Sequence, residues 1–312
     1  MDQIARPCFD HATVWRDIEA IERLKRERQA IILAHNYQRP EIFHGVADIM
    51  GDSLALAREA ARADAAVIVM AGVHFMAETA KLMNPDKTVL IPDALAGCSL
   101  AESITAADVA ALRAEYPGRP VVAYVNTSVE VKAASDICCT SGNARAVVES
   151  LGVPEVIMLP DEYLARNVAG ETDVRIIAWE GHCEVHQRFT AQEIAALRQA
   201  HPGLVVLAHP ECPPEVVAAA DASGSTEQMA RFVRANRPAR VALITECSMG
   251  ENLARSCPES DFLRVCNLCP HMQRITLAGI RRALEEMATE VTIPAPLFAP
   301  ARAAVERMLA VR

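Results

Sequence analysis

Val174-Arg-Ile-Ile-Ala-Trp179 is a short apolar run typical of a buried strand, and it stands shortly before Cys183. Two other cysteines follow runs of the same kind, Cys98 after Thr88-Val-Leu-Ile-Pro92 and Cys269 after Phe262-Leu-Arg-Val265. The three cysteines are separated by 85 (183 − 98) and 86 (269 − 183) residues. This near-equal spacing predicts a threefold internal repeat. If the three units pack around an axis, their thiolates meet at its centre.

Three soft ligands at one point, with no fourth from the protein, favour an iron–sulfur cluster with one open iron over a closed zinc site. Cys266 and Cys269 form a CxxC pair, which alone suggests zinc binding or thiol redox chemistry. No second CxxC or histidine pair completes a zinc site. The remaining cysteines are interpreted as thiols without a ligand role (Cys8, Cys138, Cys139) or as core residues (Cys212, Cys247, Cys257).

Apolar runs alternate with helical sequence along the whole chain, which predicts an α/β protein built from right-handed βαβ units with parallel sheets. The predicted strands cover 30–35, 66–70 and 89–92, then 121–126, 156–159 and 174–179, then 204–209, 241–244 and 262–265. We expect three pseudo-threefold-related small α/β domains, each with three or four strands, around a central cluster. The predicted domains are an N-terminal helical extension (1–29), three repeats (30–115, 116–200 and 201–290) and a C-terminal tail with a helix at about 301–309 (291–312).

Composition agrees with an α/β enzyme and argues against several other classes. Of the chain's 312 residues, 51% are hydrophobic but only 4% aromatic, as expected when aliphatic side chains fill parallel sheets. The net charge of −9 disfavours nucleic acid as a partner, and no apolar run reaches the length of a membrane span. Ten cysteines without a secretory leader predict a reducing cytoplasm, with thiols kept for metal rather than for disulfides.

Polar residues stand where the carboxyl ends of the strands are predicted, which is where α/β proteins bind ligands. His35, Asn126 and His209 end the first strand of each unit. The helices that follow are predicted to start with hydroxyl caps at Ser53, Ser141 and Thr226. One such cap is ordinary helix capping, but its recurrence in three units favours a site for an anion with several negative groups, such as a dicarboxylate or a phosphate ester.

Several motifs together carry a specific resemblance. They are Ala34-His-Asn-Tyr-Gln38, Gly51-Asp-Ser-Leu54, Gly97-Cys-Ser-Leu-Ala101, Tyr124-Val-Asn126, Pro160-Asp-Glu-Tyr-Leu164, Gly181-His-Cys-Glu-Val-His186, His209-Pro-Glu-Cys212, Gly224-Ser-Thr226 and Cys266-Asn-Leu-Cys-Pro-His-Met272. With them the chain resembles the quinolinate synthases, the A proteins of bacterial NAD biosynthesis. The resemblance implies a 4Fe–4S cluster and the condensation of iminoaspartate with dihydroxyacetone phosphate to quinolinate, phosphate and water. It is compatible with functional coupling to L-aspartate oxidase.

The resemblance also implies roles for individual residues. The implied cluster ligands are Cys98, Cys183 and Cys269. The implied substrate-binding residues are His35, Ser53, Tyr124, Asn126, Ser141, His209, Glu211 and Thr226. The implied catalytic residues are Tyr37, Tyr124, His186 and Glu211. On their own chemistry, His35, His209 and Glu211 can act as acids or bases, and the two tyrosines can donate to developing oxyanions or relay protons.

The chain departs from the family pattern in three places. Glu180 stands where the family often has proline, and one extra residue separates His35 from Ser53. Arg264-Val265 stands where some relatives have another cysteine, which weakens the expectation of a regulatory disulfide. Cys266 and Cys269 could still pair when the cluster is absent.

Other functions stay open on the sequence. One is a different 4Fe–4S-dependent hydro-lyase that acts on another hydroxy acid. A second is an electron-transfer iron–sulfur protein, although that class usually has four protein thiolates per cluster. A structural zinc protein is a third.

Overall fold

The computed structural model describes residues 12–62 and 64–311. These residues form three sheets of four parallel strands with helices packed against them, which confirms the predicted α/β class with three small parallel-sheet units. No helix in the described part of the chain is long and apolar enough to cross a membrane. Cys8, interpreted above as a thiol without a ligand role, lies outside the described residues.

The twelve strands of the described residues fall into three sets of four. The first set is β1 (Ala30–His35), β2 (Ile49–Gly51), β3 (Val67–Ala71) and β4 (Thr88–Leu90). The second is β5 (Val121–Tyr124), β6 (Ile137–Cys139), β7 (Glu155–Leu159) and β8 (Arg175–Ala178). The third is β9 (Val205–Ala208), β10 (Ala222–Ser223), β11 (Arg240–Ile244) and β12 (Asp261–Leu263).

All three sheets have the same strand order: β2-β1-β3-β4, β6-β5-β7-β8 and β10-β9-β11-β12. In each sheet the second strand along the chain lies on one side of the first strand, and the third and fourth strands lie on the other side. The strand order therefore reverses between the first and third strands, which makes this position a topological switch point. Open parallel sheets bind ligands in the crevice at such a point, outside the carboxyl ends of the strands.

The edge strands β2, β6 and β10 are additions to the predicted strands. Each has only two or three residues and therefore shows no apolar run. The residue directly before each edge strand is an aspartate. Its side chain accepts a hydrogen bond from a backbone N–H of the neighbouring strand, at 2.7–2.8 Å in all three units. The pairs are Asp48 with Ile32 N, Asp136 with Val121 N, and Asp221 with Val206 N.

The helices of the described residues share a role as covering layers for the sheets. They are α1 (Ala12–Arg28), α2 (Pro40–Phe43), α3 (Ser53–Arg62), α4 (His74–Met83), α5 (Ser99–Glu102), α6 (Ala106–Glu115), α7 (Val129–Ala134), α8 (Ala144–Ser150), α9 (Glu162–Ala169), α10 (Ala191–Ala200), α11 (Pro214–Ala219), α12 (Thr226–Asn236), α13 (Cys247–Ser256), α14 (Leu277–Glu286) and α15 (Ala295–Ala310). Short 3-10 turns cover His186–Arg188 and Met272–Arg274.

The helix that starts eight residues after each spaced cysteine packs against the next unit (106 − 98, 191 − 183, 277 − 269). Helix α6 contacts α7, α10 contacts α11, and α14 contacts α1 and β3. The last contact returns from the third unit to the first, so the three units close into a ring. Each of these helices is capped by a threonine that lies seven residues after its cysteine (105 − 98, 190 − 183, 276 − 269).

The C-terminal helix is longer than predicted. It begins at Ala295, not near 301, because Pro296 lies in the first turn, where a missing N–H costs nothing. Pro300 is accommodated inside the helix. Ala301, Ala304 and Met308 are buried where this helix packs against α7 and β6 of the second unit.

Candidate active site

One cavity brings together residues that follow strands in all three units. Among the residues that line it is every site residue named from the sequence: His35, Tyr37, Ser53, Cys98, Tyr124, Asn126, Ser141, Cys183, His186, His209, Glu211, Thr226 and Cys269. Their convergence follows from the closed ring of three sheets, whose switch points face the same centre.

The three cysteines occupy the same local backbone geometry. In each case the carbonyl oxygen of the cysteine accepts a hydrogen bond from the backbone N–H four residues later, at 3.0–3.1 Å. The donors are Glu102 for Cys98, Gln187 for Cys183 and Gln273 for Cys269. This repeated turn supports the predicted structural equivalence of the three positions.

The loops that carry the cysteines are also bonded to one another. Ser99 Oγ accepts from Glu184 N at 3.1 Å and donates to the carbonyl of His182 at 3.3 Å. A side-chain oxygen of Glu184 lies 3.0 Å from His271 Nε2. These contacts connect the Cys98 loop to the Cys183 loop, and the Cys183 loop to the Cys269 loop.

All three sulfurs are free and partly buried. Burial raises the pKa of Cys98 to about 12 and that of Cys269 to about 11, and it raises the pKa of Cys183 well above the usual value. Without a bound cation the thiols are therefore protonated at neutral pH. A metal would bind them as thiolates and release protons.

One cysteine prediction is wrong: Cys247 and Cys266 are joined as a disulfide, with Cα atoms 4.8 Å apart. Cys247 is buried, as expected of a core cysteine, but the expectation of thiols rather than disulfides is wrong for this pair. Cys269, expected as a possible partner of Cys266, is free. The pair forms because Cys247 follows β11 and Cys266 follows β12, and these strands are parallel neighbours whose ends meet.

A hydrogen-bond network forms one wall of the cavity. His186 Nδ1 lies 2.8 Å from Glu211 Oε2, and the other oxygen of Glu211 accepts a short hydrogen bond from the Tyr124 hydroxyl. His209 stacks on His186 with ring centroids 4.6 Å apart. Burial alone would raise the pKa of Glu211, but the nearby histidines and these hydrogen bonds lower it well below its usual range. This carboxylate is therefore ionised.

Burial holds two imidazoles and two phenols of the cavity in their neutral forms. Burial lowers the pKa of His35 to about 4 and that of His209 to about 3. Burial, assisted by the negative charge of Glu211, raises the pKa of Tyr37 and Tyr124 well above 10. At neutral pH these four side chains are therefore uncharged, whereas Glu211 is ionised.

The predicted hydroxyl caps need correction. Ser53 and Thr226 are the first residues of α3 and α12, and the capping side chains are those of Asp52 and Ser225. Ser141 lies in the turn before α8, which starts at Ala144 because Asn143 folds back to accept from Thr140 N at 2.8 Å. All three hydroxyl residues nevertheless line the cavity.

The first and third units are joined directly beside the cavity. Asn36 Nδ2 donates to Thr226 Oγ1 at 2.8 Å, and Ser225 Oγ donates to Asp52 Oδ2 at 2.9 Å. By contrast, the side-chain oxygen of Asn126 is buried without a hydrogen-bond partner. Buried polar atoms are normally satisfied by a hydrogen bond, so this oxygen is free to accept one.

Thr245 and Glu246, which follow β11, were not among the predicted site residues. Glu246 lines the cavity, accepts from Ser248 N at 2.7 Å and accepts weakly from Cys269 N at 3.4 Å. Burial raises its pKa to about 7. Their position in the sequence could have indicated this, because polar residues after the third strand of a unit reach the same sheet edge as those after the first.

One set of residues in the described chain has its ligand atoms close enough together to hold a metal. Cys183, His186 and Glu211 place one ligand atom each within 4.8 Å of one another. His186 and Glu211, however, are already bonded to each other and to other side chains. The three spaced cysteines are not engaged in this way, apart from a 3.2 Å contact between Cys183 Sγ and His186 Nδ1. They therefore fit a thiolate-bound cluster better than the mixed set fits a single ion.

A substitution at Gly181 tests the close packing of the loop that carries Cys183. A Cβ at this position would lie 2.3 Å from Pro160 O and 2.5 Å from Ser103 Oγ. We expect Gly181→Ala to destabilise the protein by about 1–3 kcal/mol, measured by denaturant unfolding. Gly170→Ala is the matched control, because its nearest contact would be 3.4 Å, and it should be close to neutral. Equal stability of the two variants would contradict the packing described for this loop.

These features define a three-unit α/β protein with a central, thiolate-lined cavity and a wall of acid–base side chains. The chain belongs to the quinolinate synthetase A protein family, whose model matches residues 19–310. A relative from Xylella fastidiosa (strain 9a5c), named quinolinate synthase, is 68% identical over 99% of this chain and 90% of its own length. Relatives of the same name from Agrobacterium fabrum (70% identical, 99% and 90% covered) and Caulobacter vibrioides (60%, 94% and 81%) agree.

Proposed function

We propose that the protein condenses iminoaspartate with dihydroxyacetone phosphate to form quinolinate, phosphate and water, with a 4Fe–4S cluster held by Cys98, Cys183 and Cys269. The observation that carries the proposal is the meeting of these equivalent cysteines at a cavity that also contains the Glu211 network. Family membership supports the reaction.

The donor set of the cavity supports the cluster. Among the residues that line it, the cysteines number three, and Cys266 is paired with Cys247 outside it. Three thiolates leave one iron of a 4Fe–4S cluster without a protein ligand. When bound, such a cluster supplies a Lewis-acidic iron that can hold a carboxylate or hydroxyl group of the substrate.

The polar residues of the cavity have distinct roles in this proposal. Ser53, Ser141 and Thr226 bind the carboxylates and the phosphate through hydroxyl and backbone N–H groups. Asn126 accepts from a donor group of the substrate. Glu211, ionised and hydrogen-bonded to His186 and Tyr124, is the acid–base group, since it can take a proton and return it. His35 and His209 are neutral and orient the substrate.

The physiological setting belongs to the same proposal. Thiols that ligate iron persist in a reducing compartment, so we place the protein in the cytoplasm. Its substrates are small molecules, and a reaction of the L-aspartate oxidase type would supply the imine.

The test is anaerobic reconstitution with iron and sulfide, followed by addition of both substrates. Quinolinate and phosphate should form in equal amounts, and omission of either substrate should stop both. Exposure to air should abolish turnover and bleach the absorption near 400 nm, because an iron without a protein ligand is easily lost. Dehydration of other hydroxy acids without quinolinate would favour a different hydro-lyase, and undiminished turnover after aeration and chelation would contradict the cluster.

A further inference from the structure

Lys132 is a fully buried lysine beside the cavity. It lies on α7, and it is not among the residues that line the cavity. Its Nζ donates to the carbonyl oxygen of Thr127 and lies 5.5 Å from the centroid of the Phe75 ring. Phe75 lines the cavity, and Thr127 directly follows Asn126, which also lines it. Both contacts of the ammonium group therefore lead to the cavity wall.

The cavity beside Lys132 is lined by acidic rather than basic side chains. Among the described residues that line it there is no lysine or arginine, whereas four are acidic: Asp52, Glu184, Glu211 and Glu246. The proposed substrates and product carry two carboxylates or a phosphate group. An anion taken out of water is stable only where positive charge compensates it. A buried ammonium group next to the wall can therefore decide how well such ligands bind.

Glu78 is the buried acidic neighbour of Lys132 and lies on the far side from the cavity. Burial lowers the pKa of Lys132 and raises the pKa of Glu78, and the attraction between the two charges opposes both changes. Glu78 Oε1 lies 3.6 Å from His74 Nδ1, and Oε2 is buried without a hydrogen-bond partner. Glu78 does not line the cavity but lines an outer groove together with His74. The positive charge of the pair is therefore the one on the cavity side.

We propose that Lys132 determines the specificity of the cavity for ligands with two negative charges, through the electric field of its buried ammonium group. This inference rests on the function proposed above, because that function supplies the doubly charged ligands. Buried charges are screened by solvent and salt much less than exposed ones, so Lys132 acts on an anion that it does not touch. The hydrogen bond to Thr127 and the face of the Phe75 ring hold the ammonium group in place.

The test compares the binding of a dianion and a monoanion that share one ring. Quinolinate carries two carboxylates on its pyridine ring, whereas picolinate carries one. Lys132→Met removes the charge and keeps most of the side chain's length. With iron content verified, we expect it to weaken quinolinate binding at least about tenfold and picolinate binding only about threefold, because a charge interaction scales with the charge of the ligand. Calorimetry measures both dissociation constants, and equal losses for the two ligands would overturn the proposal.

Lys25→Met is the matched control for Lys132→Met. Lys25 is also buried and donates to a backbone carbonyl, that of Val46, at 3.0 Å. It is paired with Asp48 at 2.7 Å, and Asp48 directly precedes β2, so this lysine lies at the opposite end of the sheet from the cavity. Both dissociation constants should match those of the wild type. Losses as large as those of Lys132→Met would show a general effect of removing a buried lysine and would overturn the proposal.

A double variant covers the case in which Lys132→Met alone does not hold iron. That substitution leaves Glu78 buried without its cation, which is destabilising. In Lys132→Met/Glu78→Gln neither charge remains, and the reference is Glu78→Gln. The same losses of at least about tenfold for quinolinate and about threefold for picolinate are expected relative to that reference. Equal losses for the two ligands would again overturn the proposal.

The binding of the two probes requires no turnover, which keeps this inference separate from the proposed reaction. A wild type that shows the expected dependence on ligand charge, but forms no quinolinate from the two substrates, would contradict the proposed reaction alone. A wild type that forms quinolinate, while Lys132→Met binds both probes as tightly as the wild type does, would overturn the role of Lys132 alone.

Discussion

Replacing Cys98, Cys183 or Cys269 by serine is expected to abolish stable iron binding in each case. Serine offers a hard, poorly ionised hydroxyl in place of a soft thiolate, and three ligands leave no redundancy. The structure strengthens this expectation, since all three sulfurs are free and follow the same backbone turn at one cavity. The measurement is iron and sulfide per chain after anaerobic reconstitution of each single variant.

Two other cysteines serve as controls for this result. Cys257 is buried away from the cavity, and Cys257→Ser should keep its iron. Cys266 is paired with Cys247, so Cys266→Ser should also keep most of its iron, with an altered sensitivity to oxidation. Loss of the cluster in Cys266→Ser together with its retention in one of the three spaced variants would show that the CxxC pair is the true metal motif.

Glu211→Gln and Tyr37→Phe are expected to lower turnover at least about a hundredfold while leaving the cluster spectrum intact. The amide of glutamine cannot accept from both His186 and Tyr124 as the carboxylate does, and it cannot take a proton. Phenylalanine removes the oxygen that faces both the cavity and Thr245. The measurement is quinolinate formed per iron-loaded chain.

Glu155→Gln is a matched control for Glu211→Gln. Glu155 is also a buried, paired glutamate, but its partners are Arg119 and Arg175, and it does not line the cavity. Its substitution should lower stability and leave turnover per loaded chain nearly unchanged. Near wild-type rates in Glu211→Gln and Tyr37→Phe would show that the chemistry lies on other residues.

The sequence predicted the repeat and the convergence of the site because both rest on strong local patterns. Runs such as Val67–Ala71 are buried along their whole length and are recognisable without a structure. The rule that ligands bind at strand ends then places His35, Asn126 and His209 together. The edge strands were missed, because two or three residues such as Ala222–Ser223 carry no periodic signal.

Contacts between distant segments could not be predicted from one sequence. The pairing of Cys247 with Cys266 depends on β11 and β12 being neighbours, which only the strand order reveals. The contacts of Thr245 with Tyr37 from the first unit and with His186 from the second depend on how the three units meet. In both cases the apolar pattern predicts where the strand lies in the sequence. It does not predict which polar side chains meet beyond the end of that strand.

We propose that three cysteines hold a cluster whose remaining iron faces the substrate. The decisive measurement is Mössbauer spectroscopy of the 57Fe-reconstituted protein, with and without quinolinate. We expect about four irons per chain, one of which changes its isomer shift when quinolinate is added while the others do not. Iron that is absent, or a spectrum that quinolinate leaves unchanged at every site, would contradict it.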